Sequence, residues 1–571
     1  MSKSEDPIIQ IHAARSWRIW LVVFLLALIV AGIASKLLSL YGDDQAFLRD
    51  QGDKRTLRTM LIPAHRGLIT DRNGEPLAVS APVATIWADP SMTDLQHSGL
   101  TRLAQLLDMK PQALKQMLAA RRDRQFLYLK RQVTPEQAEA VKGLKIPGVR
   151  VDREYKRYYP AGEVATHLVG FTNVDGEGQE GLELAFNDSL RGEPGRKLVL
   201  KDRVGRTIKH IRSLQDADPG EDLQLSIDLR LQYLAYRELK AAVEAHRADA
   251  GSAVILDVHT GEVLALVNQP SYNPNDRSEL DPDALRNRAL TDLFEPGSTI
   301  KPLTIATALM SGRYTPDSVV DTSPGYIRVG NARIKDHRNY GELTLTGIIT
   351  KSSNVGVTRL ALELPHDSLR NLLHNVGFGQ ITGTGFPGER TGILPFLSER
   401  QRVERATLSY GYGLSTTLLQ LAQAYIPLAA DGIMRPVTLL KQQQVPAGTR
   451  VLPPGVGPQV LEMMETVISA QGTGRRAAVE GYRVGGKTGT VHKASGGGYA
   501  EDQYVSVFSG IAPLSNPRLV VSIMIDNPKG QEYYGGLVAA PVFSRITAGA
   551  LRLLNVPPDR WPDSSTRVAM Q

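Results

Sequence analysis

The chain of 571 residues contains no cysteine. That excludes thiol catalysis, disulfides and cysteine-ligated metals. An exported protein that needs no disulfide tolerates the absence. Aromatic residues are few, at 6%, but charged residues at 22% are ordinary for a globular chain, so long disorder is not expected. Blocks of like charge are missing as well. The 66 lysines and arginines outnumber the 59 acidic residues, giving a net charge of +7, yet they are scattered. A scattered excess fits anionic surroundings such as a membrane or cell wall better than it fits nucleic acid.

One long apolar run is present, Ile19 to Ala34, extended by Leu37 and Leu38. Its length suits a helix that spans a bilayer, and Trp17, Trp20 and Tyr41 stand where interfacial anchors belong. We read 1–18 as a cytoplasmic tail, 19–38 as a transmembrane helix and 39–60 as a linker. A cleaved signal peptide is the competing reading, but no small-x-small site occurs between the run and Asp43 and Asp44. Arg15 and Arg18 precede the span, and Asp43, Asp44 and Asp50 come after it. This places the N-terminus in the cytoplasm and the rest of the chain outside.

The chain beyond residue 60 is too long for one core. Residues 61–215 read as mixed strands and short helices. Ile69 to Leu77 is a hairpin around Asn73-Gly74, Leu100 to Leu118 holds two amphipathic helices separated near Pro111, and Thr134 to Gln137 opens another with a capping pattern. No nucleophile, base and anion site assemble there, so we expect a non-catalytic, elongated pedestal. Over 216–555 the texture changes. Ser252 to Leu256 and Glu262 to Val267 form a hairpin. Tyr482 to Val491, Tyr504 to Ile511 and Leu519 to Ile525 are three further strands. Together they predict an α+β unit, one five-stranded antiparallel sheet with an inserted helical lobe. The polar tail 556–571 is expected to be loose.

Three short elements carry chemistry. Ser298-Thr299-Ile300-Lys301 is the chain's one Ser-x-x-Lys, placed after Pro296-Gly297 at the start of a helical pattern that runs to Ser311-Gly312. Lys301 lies one turn beyond Ser298 on the same face, as a base for a nucleophilic serine would. The bland reading is a helix cap followed by a surface lysine. Ser352 and Asn354 supply a hydroxyl and an amide between two helices, suited to relaying a proton and holding a substrate amide. Ser271-Tyr272-Asn273 has the same spacing, so this element says little alone. On a predicted strand, Lys487, Thr488 and Thr490 present a cation and two hydroxyls to a carboxylate. Gly489 permits close approach, and the Thr490 N–H is an oxyanion donor.

Two look-alikes fail. Gly481 to Thr488 matches a P-loop letter for letter, but Ala494-Ser495-Gly496-Gly497-Gly498 denies it the helix that cradles phosphate. Gly383 to Gly388 matches a dinucleotide fingerprint, and Pro387 and Gly392 deny it its helix.

The order Ser-x-x-Lys, Ser-x-Asn, Lys-Thr-Gly resembles the penicillin-recognising serine acyltransferases. Arg66-Gly67-Leu68-Ile69, Asp71-Arg72-Asn73-Gly74, Arg157-Tyr158-Tyr159-Pro160 and Gly181-Leu182-Glu183 look like the N-terminal module of class B penicillin-binding proteins. Lys351 to Gly356, Leu408 to Ser415, Tyr533 to Gly536 and Ala540 to Phe543 look like their cell-division (septal), penicillin-binding protein 3 type. The resemblance implies a peptidoglycan D,D-transpeptidase with Ser298 as nucleophile, Lys301 as base, and Ser352 and Asn354 assisting. Lys487, Thr488, Gly489 and Thr490 would bind the substrate's terminal carboxylate. It implies D-Ala-D-Ala stem peptides and β-lactams as ligands, a SEDS-family glycosyltransferase and other division proteins as partners, and no metal or nucleotide cofactor. A catalytically silent scaffold, a β-lactam sensor or β-lactamase, and a carboxypeptidase are the alternatives. No Glu-x-x-x-Asn segment of the class A β-lactamase kind accompanies the motifs.

Overall fold

The computed structural model describes residues 9–42, 45–201, 207–495 and 498–560. Residues 1–8, Asp43, Asp44 and the stretch 561–571 of the expected tail lie outside the described residues. A helix runs from Ile9 to Tyr41, so it begins inside the expected tail. Its segment Trp17–Tyr41 has a mean hydropathy of 2.6, and among the described residues none of its apolar window is buried. An apolar helix left this bare in water is unstable, whereas in lipid it satisfies both its side chains and its backbone.

The pedestal rests on two sheets. Leu57–Ile62, Gly195–Lys201 and Thr207–Gln215 form a three-stranded antiparallel sheet, joined to the apolar helix through helix Gln45–Thr56. Pro76–Ala88 is the spine of the second, pairing with Ile69–Thr70, Leu127–Val133 and Val149–Tyr158. The Asn73-Gly74 turn forms as expected, with Gly74 at φ +91°. Helices Gly99–Leu106, Pro111–Ala119 and Pro135–Gly143 bury Leu100, Leu103, Leu114, Leu118 and Val141 against the spine. The Thr134–Gln137 capping box is complete. At the base of the spine, buried Glu183 pairs with Arg157 Nε at 2.6 Å and with Arg66 Nη2 at 2.7 Å. Two cations on one carboxylate fix how three distant segments meet, because removing one partner leaves an uncompensated buried charge.

The C-terminal unit is built on five antiparallel strands in the spatial order Val263–Gln269, Ala250–Asp257, Leu519–Asp526, Gly498–Ala512, Gly485–Ser495. The first two are buried at every residue, which explains why they read as unbroken apolar runs. Helices Leu229–Ala245 and Gly535–Leu553 cover one face. Leu418–Ala429, all twelve residues buried, lies under the other face and joins the sheet to the helical lobe. Gly485–Ser495 is an edge strand whose free side borders that lobe. Residues 556–560 are tied back: Val556 O accepts from Tyr482 Oη at 2.6 Å, and Asp559 Oδ1 from the Arg483 N–H at 2.7 Å.

Candidate active site

Ser298 sits in a 3-10 turn, Gly297–Ile300, which runs straight into the helix Lys301–Met310. The turn is held from four sides. Gly297 N–H donates to Gly411 O at 3.0 Å, Thr299 Oγ1 to Pro296 O at 2.7 Å, Thr304 Oγ1 to Ser409 O at 2.8 Å, and buried Tyr425 Oη to Thr299 O at 2.7 Å. Gly297 is at φ +55°, and a Cβ there would lie 2.4 Å from Val491 Cγ1. Only glycine lets the turn press this closely against the edge strand.

The second element stands at the C-terminus of helix Leu345–Lys351, capped at its start by Thr344. Ser352 takes the left-handed conformation at φ +58°. That non-glycine strain reverses the chain into helix Asn354–Glu363 and aims the side chain at the turn. Its Oγ donates to Ser298 Oγ at 3.2 Å and accepts from Lys301 Nζ at 3.1 Å and from Lys487 Nζ at 3.0 Å. Lys301 Nζ also donates to Ser352 O at 2.6 Å and Asn354 Oδ1 at 2.8 Å. Among the described residues no hydrogen bond joins Lys301 to Ser298; the hydroxyl of Ser352 stands between them.

The third element lies on the edge strand, with Lys487, Thr488, Gly489 and Thr490 opposite Ser509, Phe508, Val507 and Ser506. A Cβ on Gly489 would come within 3.0 Å of Pro296 O, so strand and turn are in contact through this residue. Thr488 Oγ1 shares a 2.8 Å hydrogen bond with Thr473 Oγ1, and Thr490 Oγ1 accepts from the Gly535 N–H at 2.9 Å. Lys487 continues into strand up to Ser495, so the P-loop spelling has no phosphate-binding helix behind it.

These elements open on a cleft of about 590 Å³ lined by Ser298, Ser352, Asn354, Thr488 and Thr490. Lys301 and Lys487 lie under its floor, both fully buried. Burial, and then the charge of Lys487, hold the Lys301 ammonium well below its ordinary value of 10.5, while Asp336 pulls the other way. Burial pushes Lys487 down to about 7. Two amines that shed their protons this readily, meeting on one hydroxyl, can accept a proton from a serine.

The families agree with this geometry. Residues 251–548 match the penicillin binding protein transpeptidase domain, and 61–225 the penicillin-binding protein dimerisation domain. The chain belongs to the penicillin-binding protein family. Peptidoglycan D,D-transpeptidase FtsI of Escherichia coli K12 is 44% identical over 550 residues, 95% of this chain and 93% of that one. Probable peptidoglycan D,D-transpeptidase PbpC of Pseudomonas aeruginosa is 43% identical, over 96% of this chain and 97% of that one. Penicillin-binding protein 3 of Mycobacterium tuberculosis, solved with aztreonam, superposes with a TM-score of 0.68 at 28% identity, covering 88% of this chain and 98% of that one.

Sequence reading of this penicillin-binding protein missed Asp336. It comes directly after the hairpin strand Ala332–Lys335, and its carboxylate accepts from Asn354 N–H at 2.6 Å, Val355 N–H at 3.0 Å and Ser353 Oγ at 2.5 Å. It therefore caps the helix that carries Asn354 from outside. No local spacing announces a cap from 18 residues away. The aromatic side of the cleft was missed too: Tyr504 stacks on Tyr533 with ring centres 4.2 Å apart, and Tyr533 on Tyr534 at 4.4 Å. The chain's one Glu-x-x-x-Asn spacing, Glu183 to Asn187, is in the pedestal, where Glu183 is committed to two arginines.

Proposed function

We propose that this penicillin-binding protein is a membrane-anchored peptidoglycan D,D-transpeptidase of the division septum. The observation that carries the reading is the single hydroxyl, Ser352 Oγ, that contacts Ser298 Oγ and both buried amines. Ser298 Oγ attacks the carbonyl carbon of the penultimate D-Ala of a stem peptide. Its proton passes to Ser352 Oγ as the Ser352 proton passes to neutral Lys301. The N–H groups of Ser298 and Thr490 stabilise the oxyanion. The C–N bond then breaks, the leaving amine takes a proton back through Ser352, and D-alanine departs. Asn354 steers Lys301 and the substrate amide. Lys487, Thr488 and Thr490 hold the terminal carboxylate, and Gly489 lets the substrate backbone come close. An amine of a neighbouring stem attacks the ester, forms the cross-link and frees Ser298.

The Trp17–Tyr41 helix anchors the chain once in a membrane. On this reading the N-terminus is cytoplasmic, the catalytic unit periplasmic, and the partners are division proteins that include a SEDS-family glycosyltransferase. β-Lactams, which mimic the acyl donor, acylate Ser298. Purified protein incubated with benzylpenicillin should gain one drug mass on the peptide bearing Ser298, and with stem peptides should form cross-linked dimers. An adduct on Ser352, or release of D-alanine with no dimer at any amine concentration, would overturn the assignment.

A further inference from the structure

The hairpin of strands Tyr326–Val329 and Ala332–Lys335 stands beside the cleft and has two unlike faces. Val329 and Ile334 point inward and pack with Ala406 of helix Arg402–Leu408. The outward face carries Tyr326, Arg328, Arg333 and Lys335, and its three cations are exposed. Arg328 and Arg333 stand directly opposite one another in the register. Like charges in that position destabilise a strand pair, so the fold gains nothing from them. The Arg333 guanidinium lies over the Tyr326 ring, 3.8 Å from its centre, and Arg338, also exposed, lies over Tyr340 at 5.2 Å. A guanidinium stacked by its face keeps its N–H edge for a carboxylate. Among the described residues none of these four cations forms an ion pair. The carboxylate that follows Lys335, Asp336, accepts from Ser353, Asn354 and Val355 instead. An exposed row of unpaired cations is complementary to an acidic ligand.

The position of the hairpin says which ligand reaches it. Lys335 O accepts from Asn354 Nδ2 at 3.0 Å, and His337, two residues on, lines the cleft itself. The cationic face is therefore one hydrogen bond from a residue that holds Lys301. When an amine resolves the acyl-enzyme, its nitrogen bonds to the ester carbonyl carbon and the bond from that carbon to Ser298 Oγ breaks. One proton of the amine returns to Ser298 Oγ through Ser352, the reverse of acylation, so the nitrogen enters beside Ser352. The donor, still attached to Ser298, occupies the edge-strand wall. The remainder of the acceptor must pass over the opposite wall, where Asn354 and His337 stand. We propose that the outward face of this hairpin docks the acceptor stem, an acidic peptide, with Arg328, Arg333, Lys335 and Arg338 receiving its carboxylates. The assignment rests on the transpeptidase reading and adds how an amine competes with water for the acyl-enzyme.

The test uses the full-length protein in detergent, a D-alanyl thioester as acyl donor, and two acceptor stem peptides. Both peptides keep the free amine; one has free carboxylates and the other has them amidated. Transfer and hydrolysis products are counted against acceptor concentration. At low salt, half-maximal capture of the acyl-enzyme should need about tenfold less of the acidic peptide, and the difference should shrink as salt is raised. Arg328→Gln combined with Arg333→Gln should remove that advantage and leave capture by the amidated peptide unchanged. The melting temperature of this variant should be no lower than the parent's, because a like-charge pair is relieved. Equal capture of the two peptides by the parent overturns the docking face. An acidic preference that survives the double substitution also overturns it, and leaves the cations to an acidic partner protein. Acylation of Ser298 by benzylpenicillin with no capture of either peptide overturns the transfer step and the face together. Failure of benzylpenicillin to acylate Ser298 in the parent overturns the transpeptidase reading itself.

Discussion

Ser352 Oγ donates to Ser298 Oγ at 3.2 Å and accepts from both buried lysines, so its hydrogen-bonding capacity is full. The Ser298 proton can leave only when the Ser352 proton turns toward an amine. Ser352→Gly removes the relay and also suits the positive φ at this position. It should fold at least as well as the parent and acylate about 10² to 10⁴ times more slowly. Stopped-flow acylation by a fluorescent penicillin measures this. A rate within a few-fold of the parent would mean that Lys301 reaches Ser298 directly.

Asp336 is expected to act through position and charge together. Asp336→Asn leaves one of three donors without an acceptor and removes a negative charge from a helix N-terminus, a loss of about 1 kcal/mol. Because Asp336 raises the Lys301 pKa, the variant's acylation profile should also move to lower pH. A purely structural role would lower the rate without moving the profile. The pair of measurements, melting temperature and rate against pH, separates the two.

The sequence made some of this readable and hid the rest, for physical reasons. Strands Ala250–Asp257 and Val263–Gln269 were legible because both sheet faces are covered there, which turns each of the two into an apolar run. The eight candidate residues stood out because their spacing is local to one turn, one helix junction and one strand. Their mutual arrangement was not. That Ser352 stands between Lys301 and Ser298 results from a left-handed residue at a helix end, and nothing in the local pattern of Lys351-Ser352-Ser353 demands one. Asp336 and the Tyr504–Tyr533 stack join residues far apart in the chain, and periodicity carries no information about such contacts.

The bare Trp17–Tyr41 helix and its flanking charges predict orientation. A reporter active only outside the cytoplasm, fused after residue 60, should be active. Activity of a cytoplasm-only reporter at the same junction would invert the topology and strand the catalytic unit away from its substrate.

The two buried lysines tie rate and stability to pH in a direction that can be worked out. Between about pH 7 and 10.5 the unfolded chain carries a proton on Lys487 that the folded chain sheds. Stability should therefore rise with pH through that window, and the contribution should be lost as pH falls toward 7. Lys487→Met replaces a buried amine by an apolar chain of similar length and should stabilise the protein at neutral pH by about 1 kcal/mol or more, while removing the group proposed to hold the substrate carboxylate. Lys301 lies well below its ordinary range for the same reason, burial, reinforced by its neighbour's charge. Acylation by the parent should accordingly rise on the acid side with an apparent pKa well under 10, a property of the coupled pair. Lys301→Arg keeps a cation but cannot deprotonate, so it should lose acylation by about 10² to 10⁴ while thermal unfolding shows a folded domain. Acylation by Lys301→Arg within a few-fold of the parent would make Lys301 an electrostatic positioner and leave Lys487 to take the Ser298 proton through Ser352.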